Sequence, residues 1–399
     1  MLSLEEARAR LFALVPKPQT ELIPVPSALG RFLANDIAAP IDLPLFDNSA
    51  MDGFAVRAAD LAGASKEKPI TLKLLAAVPA GAPTRTEVTT GACIRLFTGS
   101  PLPPGADAVL MQEDTEINGE AVRCLDAVKP WENIRLRGED IRKGTVILKS
   151  GDRLTSGSIG LLQATGLDRI SVTRQPNVAL IATGNELLSP DQPLEPSKIF
   201  ESNRAMLAAL LAPITTAPRI LPIVPDSLPE TCRLLEEAFA TSDFVISSGG
   251  VSVGEHDLVK KAFTQIGGNL DLWRVSIKPG KPFAFGRYKE KLLFGLPGNP
   301  VSAFVTFLML VRPALLRAQG ANNLDLPAHP GILSEPLANR GDRRHFMRVQ
   351  VDASGQVRSA GPQASHMMTS LALANALIDV PPDTTLPKAA QVQVLRWEL

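Results

Sequence analysis

Leu4, Ala7, Leu11 and Leu14 recur at helical spacing behind the capping-box pattern Ser3-Leu4-Glu5-Glu6 and stop at Pro16, which predicts an opening helix. Residues 23–44 then alternate short apolar pieces with Pro and Gly, and the same texture returns over 144–176. The two stretches read as halves of one small β-rich domain. Between them, 70–79, 93–98, 108–111 and 121–128 read as strands separated by Pro/Gly turns, an inserted and mostly β block.

After Gln175-Pro176 the texture changes. Strand-like runs at 177–182, 219–224, 244–247 and 270–277 alternate with helical runs at 203–212, 228–240, 256–266 and 301–319. This alternation predicts a doubly wound, mostly parallel sheet, whose ligands bind where strand C-termini meet helix N-termini. The apolar run 303–311 is cut by Arg312-Pro313, short of the roughly 20 residues of a spanning helix, and reads as a buried helix. Beyond Pro327 short runs such as 346–351 and 392–395 predict a terminal β domain. The expected division is 1–23 with 45–139 (mostly β, with the helix), 24–44 with 140–174 (small, discontinuous, β-rich), 175–325 (α/β) and 326–399 (C-terminal β, barrel-like).

Composition sharpens this picture. The 399 residues carry 41 Lys+Arg against 41 Asp+Glu, so no electrostatic footprint for nucleic acid or an anionic membrane exists, although a local basic cluster can still hold a small anion. Thirty-four Pro and 29 Gly predict many fixed turns. Cys93, Cys124 and Cys232 lie far apart with no metal-ligand spacing, which favours reduced thiols over a disulfide framework or a zinc site. Glu5 and Glu6 stand where a secretory signal is basic and then apolar, and the chain reads as cytoplasmic.

Four loops of the α/β block follow its strands. In Ala182-Thr183-Gly184-Asn185-Glu186, Gly184 allows a tight turn and Glu186 can start a helix or hold a metal. In 247–257 (SSGGVSVGEHD) glycines such as Gly249 and Gly250 let backbone N–H groups face a ligand beside a helix N-terminus, an arrangement suited to phosphate; Asp257 can cap that helix or bind a metal. No GxxxxGK[ST] or GxGxxG pattern is present, so ordinary ATPase and dinucleotide folds are not indicated. Lys278-Pro279-Gly280-Lys281-Pro282 holds two cations on a proline-stiffened loop, either an oxyanion grip or a solvated turn. Leu296-Pro297-Gly298-Asn299-Pro300-Val301-Ser302 leads into the apolar helix, with Ser302 in its first turn. Elsewhere, Asp47, Asp52, Glu139 and Asp140 can bind Mg2+ or simply form turns. Arg340, Arg343, Arg344 and Arg348 cluster around Phe346, either a solvated face or an oxyanion clamp.

The segments DNSAMDGFA, TGSPLPPGADAVLMQED, RGED, ATGNELL, SSGGVSVGEHD, KPGKP, LPGNPVSA and SHMMTSLALANAL resemble, in the same order, those of the MoeA family of molybdopterin molybdenumtransferases, related to the C-terminal domain of gephyrin. The resemblance spans nearly the whole chain. It implies a homodimer of four-domain subunits with a MogA-like molybdopterin-binding α/β domain, and insertion of molybdate into adenylylated molybdopterin with release of AMP, assisted by Mg2+. Carried over by motif, Asp52, Thr98, Asp140, Glu186 and Asp257 form the implied catalytic set, with Asp52, Glu186 and Asp257 as metal ligands. Ser252, Gly249 and Gly250 then face the pterin nucleotide, and Lys278, Lys281, Pro282, Ser302, Arg343 and Ser365 surround molybdate, with Arg340 and Arg344 competing for the role of Arg343. A MogA-like adenylyltransferase is the implied partner. Asn185, where the family commonly has Asp, removes one metal carboxylate; Phe54 replaces a frequent Tyr, and His256 and Leu258 differ from commoner residues beside Asp257. Two alternatives stay open at this point, ATP-dependent adenylylation of molybdopterin by the α/β block and a non-enzymatic scaffold.

Overall fold

The computed structural model describes residues 1–83, 85–249 and 258–397. Gly250, Ser252, His256 and Asp257 therefore lie outside the described residues. The chain forms two compact units, Asp36–Lys149 with Ser156–Arg169, and Met1–Asn35 with Ser150–Thr155 and Ile170–Leu399.

The smaller unit is built on a six-stranded mixed sheet in the order Ala108–Met111, Gly53–Val56, Ala92–Leu96, Ile70–Val78, Ala121–Cys124, Thr115–Asn118. Its faces bury Phe54, Val56, Leu72 and Leu110 on one side and Val78, Ile94, Leu96 and Val109 on the other. Gly53 is demanded by sheet geometry: a Cβ there would stand 2.1 Å from the Leu110 carbonyl oxygen. Cys93 and Cys124 are buried free thiols, and burial pushes them up to about 12 and about 11. The stretch read as β-rich also contains a helix, Ser156–Ala164, whose two glycines disguise the spacing of Ile159 and Leu162.

The larger unit holds the predicted doubly wound sheet. Arg219–Ile220, Val178–Ala182, Phe244–Ser248 and Lys291–Leu296 run parallel, and Pro282–Tyr288 and Asn269–Arg274 continue the sheet antiparallel. Leu180, Ile246 and Phe294 face one helical layer, and Ala179, Ile181 and Leu293 face the helices Leu228–Thr241 and Leu258–Gln265 on the other. The hairpin Pro282–Tyr288/Lys291–Leu296 is absent from the sequence reading because its continuous apolar run lacks strand alternation. Residues 277–278 leave this sheet altogether and pair with Arg344 and His345.

Pro300–Ala318 is one continuous helix, apolar and long enough for a membrane span, with 83% of its apolar window buried inside the protein. Pro313 has no N–H to give the preceding turn, and the segment before it, Phe307–Val311, widens into π-helical turns. The opening helix Leu4–Leu14 has the predicted capping box and buries Leu4, Ala7 and Leu11. Those side chains share a core with Leu308, Leu315 and the α/β sheet, so the helix belongs to this unit rather than to the inserted β domain. Its apolar stripe requires a complementary apolar face, and the Pro300–Ala318 helix supplies it.

The C-terminal domain closes into a five-stranded barrel. Ala328–Leu333 pairs with Gln356–Ser359, which pairs with Arg344–Val351, then Ala376–Val380, Gln391–Leu395 and back to Ala328–Leu333. Gly53→Ala in the smaller unit is expected to lower global stability by about 2 kcal/mol through overpacking. Urea unfolding measures this, and an unchanged midpoint would show that the Leu110 strand gives way freely.

Candidate functional site

Three parallel strands of the larger unit end level: Ala182 stands opposite Ser248, and Ser248 opposite Leu296. Their loops therefore leave the sheet side by side, where the sequence placed its chemistry. Buried Asn203, first residue of the helix Asn203–Leu211, ties two of them by donating to Ser248 Oγ and to the Gly298 carbonyl, both at 2.8 Å. Gly249 turns off its strand at φ +85°, and its N–H donates to Leu296 O at 3.0 Å. In the first loop, Asn185 Oδ1 accepts from the Asp226 N–H (3.0 Å), and the Asn185 N–H donates to Asp226 Oδ2 (3.2 Å). Asn185 is thus a loop staple. Glu186 folds its carboxylate back over Gly184, where a Cβ would come within 2.5 Å of Glu186 Oε2.

The loop 278–282 sits on the first turns of the Pro300–Ala318 helix. Gly280 makes that possible: its φ is +114°, and a Cβ there would stand 2.4 Å from Thr306 Oγ1 and 3.6 Å from Ser302 O. Ser302 is buried in the first turn. Ser365 closes over the same turn, with its carbonyl accepting from the Val301 N–H (3.2 Å) and its hydroxyl from Asn299 Nδ2 (3.1 Å). One helix N-terminal donor is therefore taken by protein rather than left for an oxyanion.

The arginines divide sharply. Arg344 pairs with Asp379 and Glu5, and those carboxylates drive its pKa up. It is spoken for. Arg343 Nη1 donates to Ile277 O at 2.8 Å, which places its guanidinium beside Lys278, with exposed Asp342 at 3.6 Å from Nε. Arg340 is exposed. Arg348, read from sequence as one of a possibly solvated set, is 1% exposed. Lys278 lies in register with His345, and neither Lys278 nor Lys281 has an ion-pair partner among the described residues. His345 is buried with both ring nitrogens unpartnered; burial first, then Lys278, Arg348 and Arg343, push it down to about 4. The imidazole is neutral at physiological pH, and the field around it is cationic.

In the smaller unit Asp52 Oδ1 accepts from both the N–H and the hydroxyl of Thr98, each at 2.8 Å, and these bonds hold the carboxyl below its ordinary range. Glu139 is a turn acid, accepting from the Leu136 N–H at 2.7 Å, whereas Asp47 ties two distant segments by accepting from the Arg137 N–H at 2.7 Å. Asp140 is exposed, with its N–H on Leu43 O at 3.1 Å.

Family models match three consecutive regions: MoeA N-terminal region (domain I and II) over residues 2–166, probable molybdopterin binding domain over 179–317, and MoeA C-terminal region (domain IV) over 330–397. The Haemophilus influenzae molybdopterin molybdenumtransferase is 38% identical over 95% of this chain and 94% of its own. The chain belongs to the MoeA family. Mycobacterium tuberculosis molybdopterin molybdenumtransferase 2 is 37% identical, with 94% of each chain covered. The crystal structure of the Pyrococcus horikoshii molybdopterin biosynthesis MoeA protein superposes with a TM-score of 0.85 at 32% identity, covering 99% of this chain and 100% of that one.

With MoeA membership in hand, the expected residues fall into three groups. Lys278, Lys281, Pro282, Ser302, Arg343 and Ser365 come from distant segments to one place in the larger unit. Glu186 and Gly249 sit at the strand ends of that unit, whereas Asp52, Thr98 and Asp140 belong to the smaller one. No three His, Cys, Asp or Glu side chains form a metal cluster among the described residues. The expected trio is split: Asp52 and Glu186 belong to different units, and Asp257 lies outside the described residues. Sequence reasoning missed Asn203 and His345. The one signal for the latter was a histidine in a run of apolar and cationic residues, which composition alone does not distinguish from a surface strand.

Below pH 6.5 the unfolded chain protonates His345 while the folded site does not, so stability falls as pH drops toward about 4 and then levels. Between pH 6.5 and 5 this loss amounts to about 2 kcal/mol. Comparing denaturant unfolding of wild type and His345→Leu across that range isolates it; equal slopes would show that the imidazole is not buried neutral. Gly184→Ala should displace the Glu186 carboxylate, lower turnover roughly tenfold and, because of its positive φ, also lower the melting temperature; wild-type turnover would show that Glu186 does not act there.

Proposed function

We propose that this MoeA-family chain inserts molybdate into adenylylated molybdopterin, releasing AMP and molybdenum cofactor. The observation that carries the reading is that the loop of Lys278 and Lys281 lies on the helix turn that Ser365 also contacts, with Arg343 beside Lys278; among the described residues these cations have no carboxylate partner apart from exposed Asp342 near Arg343. Such a site favours a small dianion, and its partial burial strengthens each charge-assisted hydrogen bond. Molybdate has the matching charge and tetrahedral oxygens. Gly249 would face the pterin nucleotide at the strand ends. The assignments of Gly250 and Ser252 to the same nucleotide rest on their motif and lie outside the described residues.

Mg2+ belongs to the same proposal: Asp52, whose carboxyl Thr98 holds below its ordinary range, would offer it oxygen ligands in the smaller unit, and the assignments of Glu186 and Asp257 rest on their motifs alone. Bound, the cation would neutralise charge on the phosphoanhydride. A homodimer belongs to the same proposal, and the buried free thiols Cys93 and Cys124 fit a cytoplasmic setting. The substrate would come from an adenylyltransferase of the MogA type.

Purified protein given adenylylated molybdopterin, Mg2+ and molybdate should release AMP and yield cofactor that activates an apo-molybdoenzyme. Transfer of AMP from ATP to molybdopterin instead would favour the adenylyltransferase reading. Lys278→Ala with Lys281→Ala should raise the molybdate requirement at least tenfold and leave pterin binding nearly unchanged. Unaltered molybdate dependence in that double variant would remove the oxyanion assignment.

A further inference from the structure

Arg348 is the cation least explained by the site described so far. It sits mid-strand in Arg344–Val351, 1% exposed, with no carboxylate within ion-pair distance among the described residues. Burial lowers its pKa to about 10, so the guanidinium stays charged near neutral pH. A buried, uncompensated charge is costly and persists only where other groups hold it.

What holds it is a single loop. Arg348 Nη2 donates to Pro362 O at 2.8 Å and Nη1 to Ala364 O at 3.1 Å. The backbone of the same residue grips Gln363, whose Oε1 accepts from the Arg348 N–H and whose Nε2 donates to the Arg348 carbonyl, both at 2.9 Å. Three consecutive residues are thus fixed by one, and the next residue in the chain is Ser365. From there the Ser365 carbonyl and hydroxyl engage Val301 N–H and Asn299 Nδ2 on the helix turn beside Lys278–Lys281. The barrel strand and the helix N-terminus are linked through this loop, which Arg348 holds at 362–364 and the helix turn holds at Ser365.

We propose that Arg348 is a positioning residue for the oxyanion, acting through residues 362–364 to hold Ser365 over the first turn of the Pro300–Ala318 helix. The planar guanidinium suits the task, because its two Nη groups reach two carbonyls from a rigid fork that a lysine ammonium lacks. The proposal rests on the reading of Ser365 as an oxyanion-site residue.

The test is a double-mutant cycle in the full-length protein, following AMP release from adenylylated molybdopterin at varied molybdate. Arg348→Gln should raise the molybdate KM roughly tenfold and leave the KM for the pterin substrate within twofold, with Arg348→Lys recovering only part of the loss. In a Ser365→Ala background, Arg348→Gln should add less than a further twofold. Losses that multiply in the double variant, or that fall equally on both substrates, would overturn the positioning role while leaving the oxyanion reading intact. A Ser365→Ala protein with wild-type molybdate KM would overturn the oxyanion reading itself, and the proposal with it. If Arg348→Gln does not fold, Gln363→Ala cuts the second tether of the same loop and should raise the molybdate KM in the same Ser365-dependent way; an unchanged KM there overturns the proposal.

Discussion

The contact between Gly280 and the first turns of the Pro300–Ala318 helix is the constraint on which the candidate site depends. A backbone with no side chain at that point lets the loop 278–282 lie against Thr306 and Ser302, and this puts two lysines at the junction of the α/β layer and the C-terminal barrel. The same junction is reinforced from the barrel side, where residues 277–278 leave the α/β sheet to pair with Arg344 and His345. The chain therefore passes from the α/β sheet to the barrel within this short stretch. A cation cluster assembled this way is held by backbone, which keeps like charges together against their repulsion.

The helix that forms the floor of this junction is mostly buried. It packs the opening helix on one side and the sheet on the other, and the π-helical turns before Pro313 keep it continuous where an uninterrupted α-helix would clash. Packing of that density leaves few degrees of freedom to the residues on its first turn. Ser302 and the loop of Ser365 inherit this rigidity, and an oxyanion there meets donors that need little reorganisation.

Much of this was legible in the sequence. The alternation of apolar runs with helical spacing predicted the doubly wound sheet, because core strands and amphipathic helices carry their burial in their periodicity. The loops at the strand ends were visible from Gly and Pro punctuation, which encodes turns locally. The hairpin Pro282–Tyr288/Lys291–Leu296 was not legible, since a strand buried on both faces has no alternation to read. The placement of Leu4–Leu14 with the α/β unit was also hidden: its stripe announces that a partner exists and is silent on which one. Arg348 and His345 show the deeper limit. Whether a charged residue in a strand is solvated or buried depends on partners in another loop or across a barrel seam, and no local pattern records them.

The central claim is that the cations of 278–281 and Arg343, with Ser365, form one oxyanion site. Anomalous diffraction from crystals soaked in molybdate, recorded at the molybdenum edge, tests it most directly. A single strong peak within hydrogen-bonding distance of Lys278, Arg343 and the Ser365 hydroxyl is the predicted result. A peak elsewhere, or none at saturating molybdate, would contradict the account.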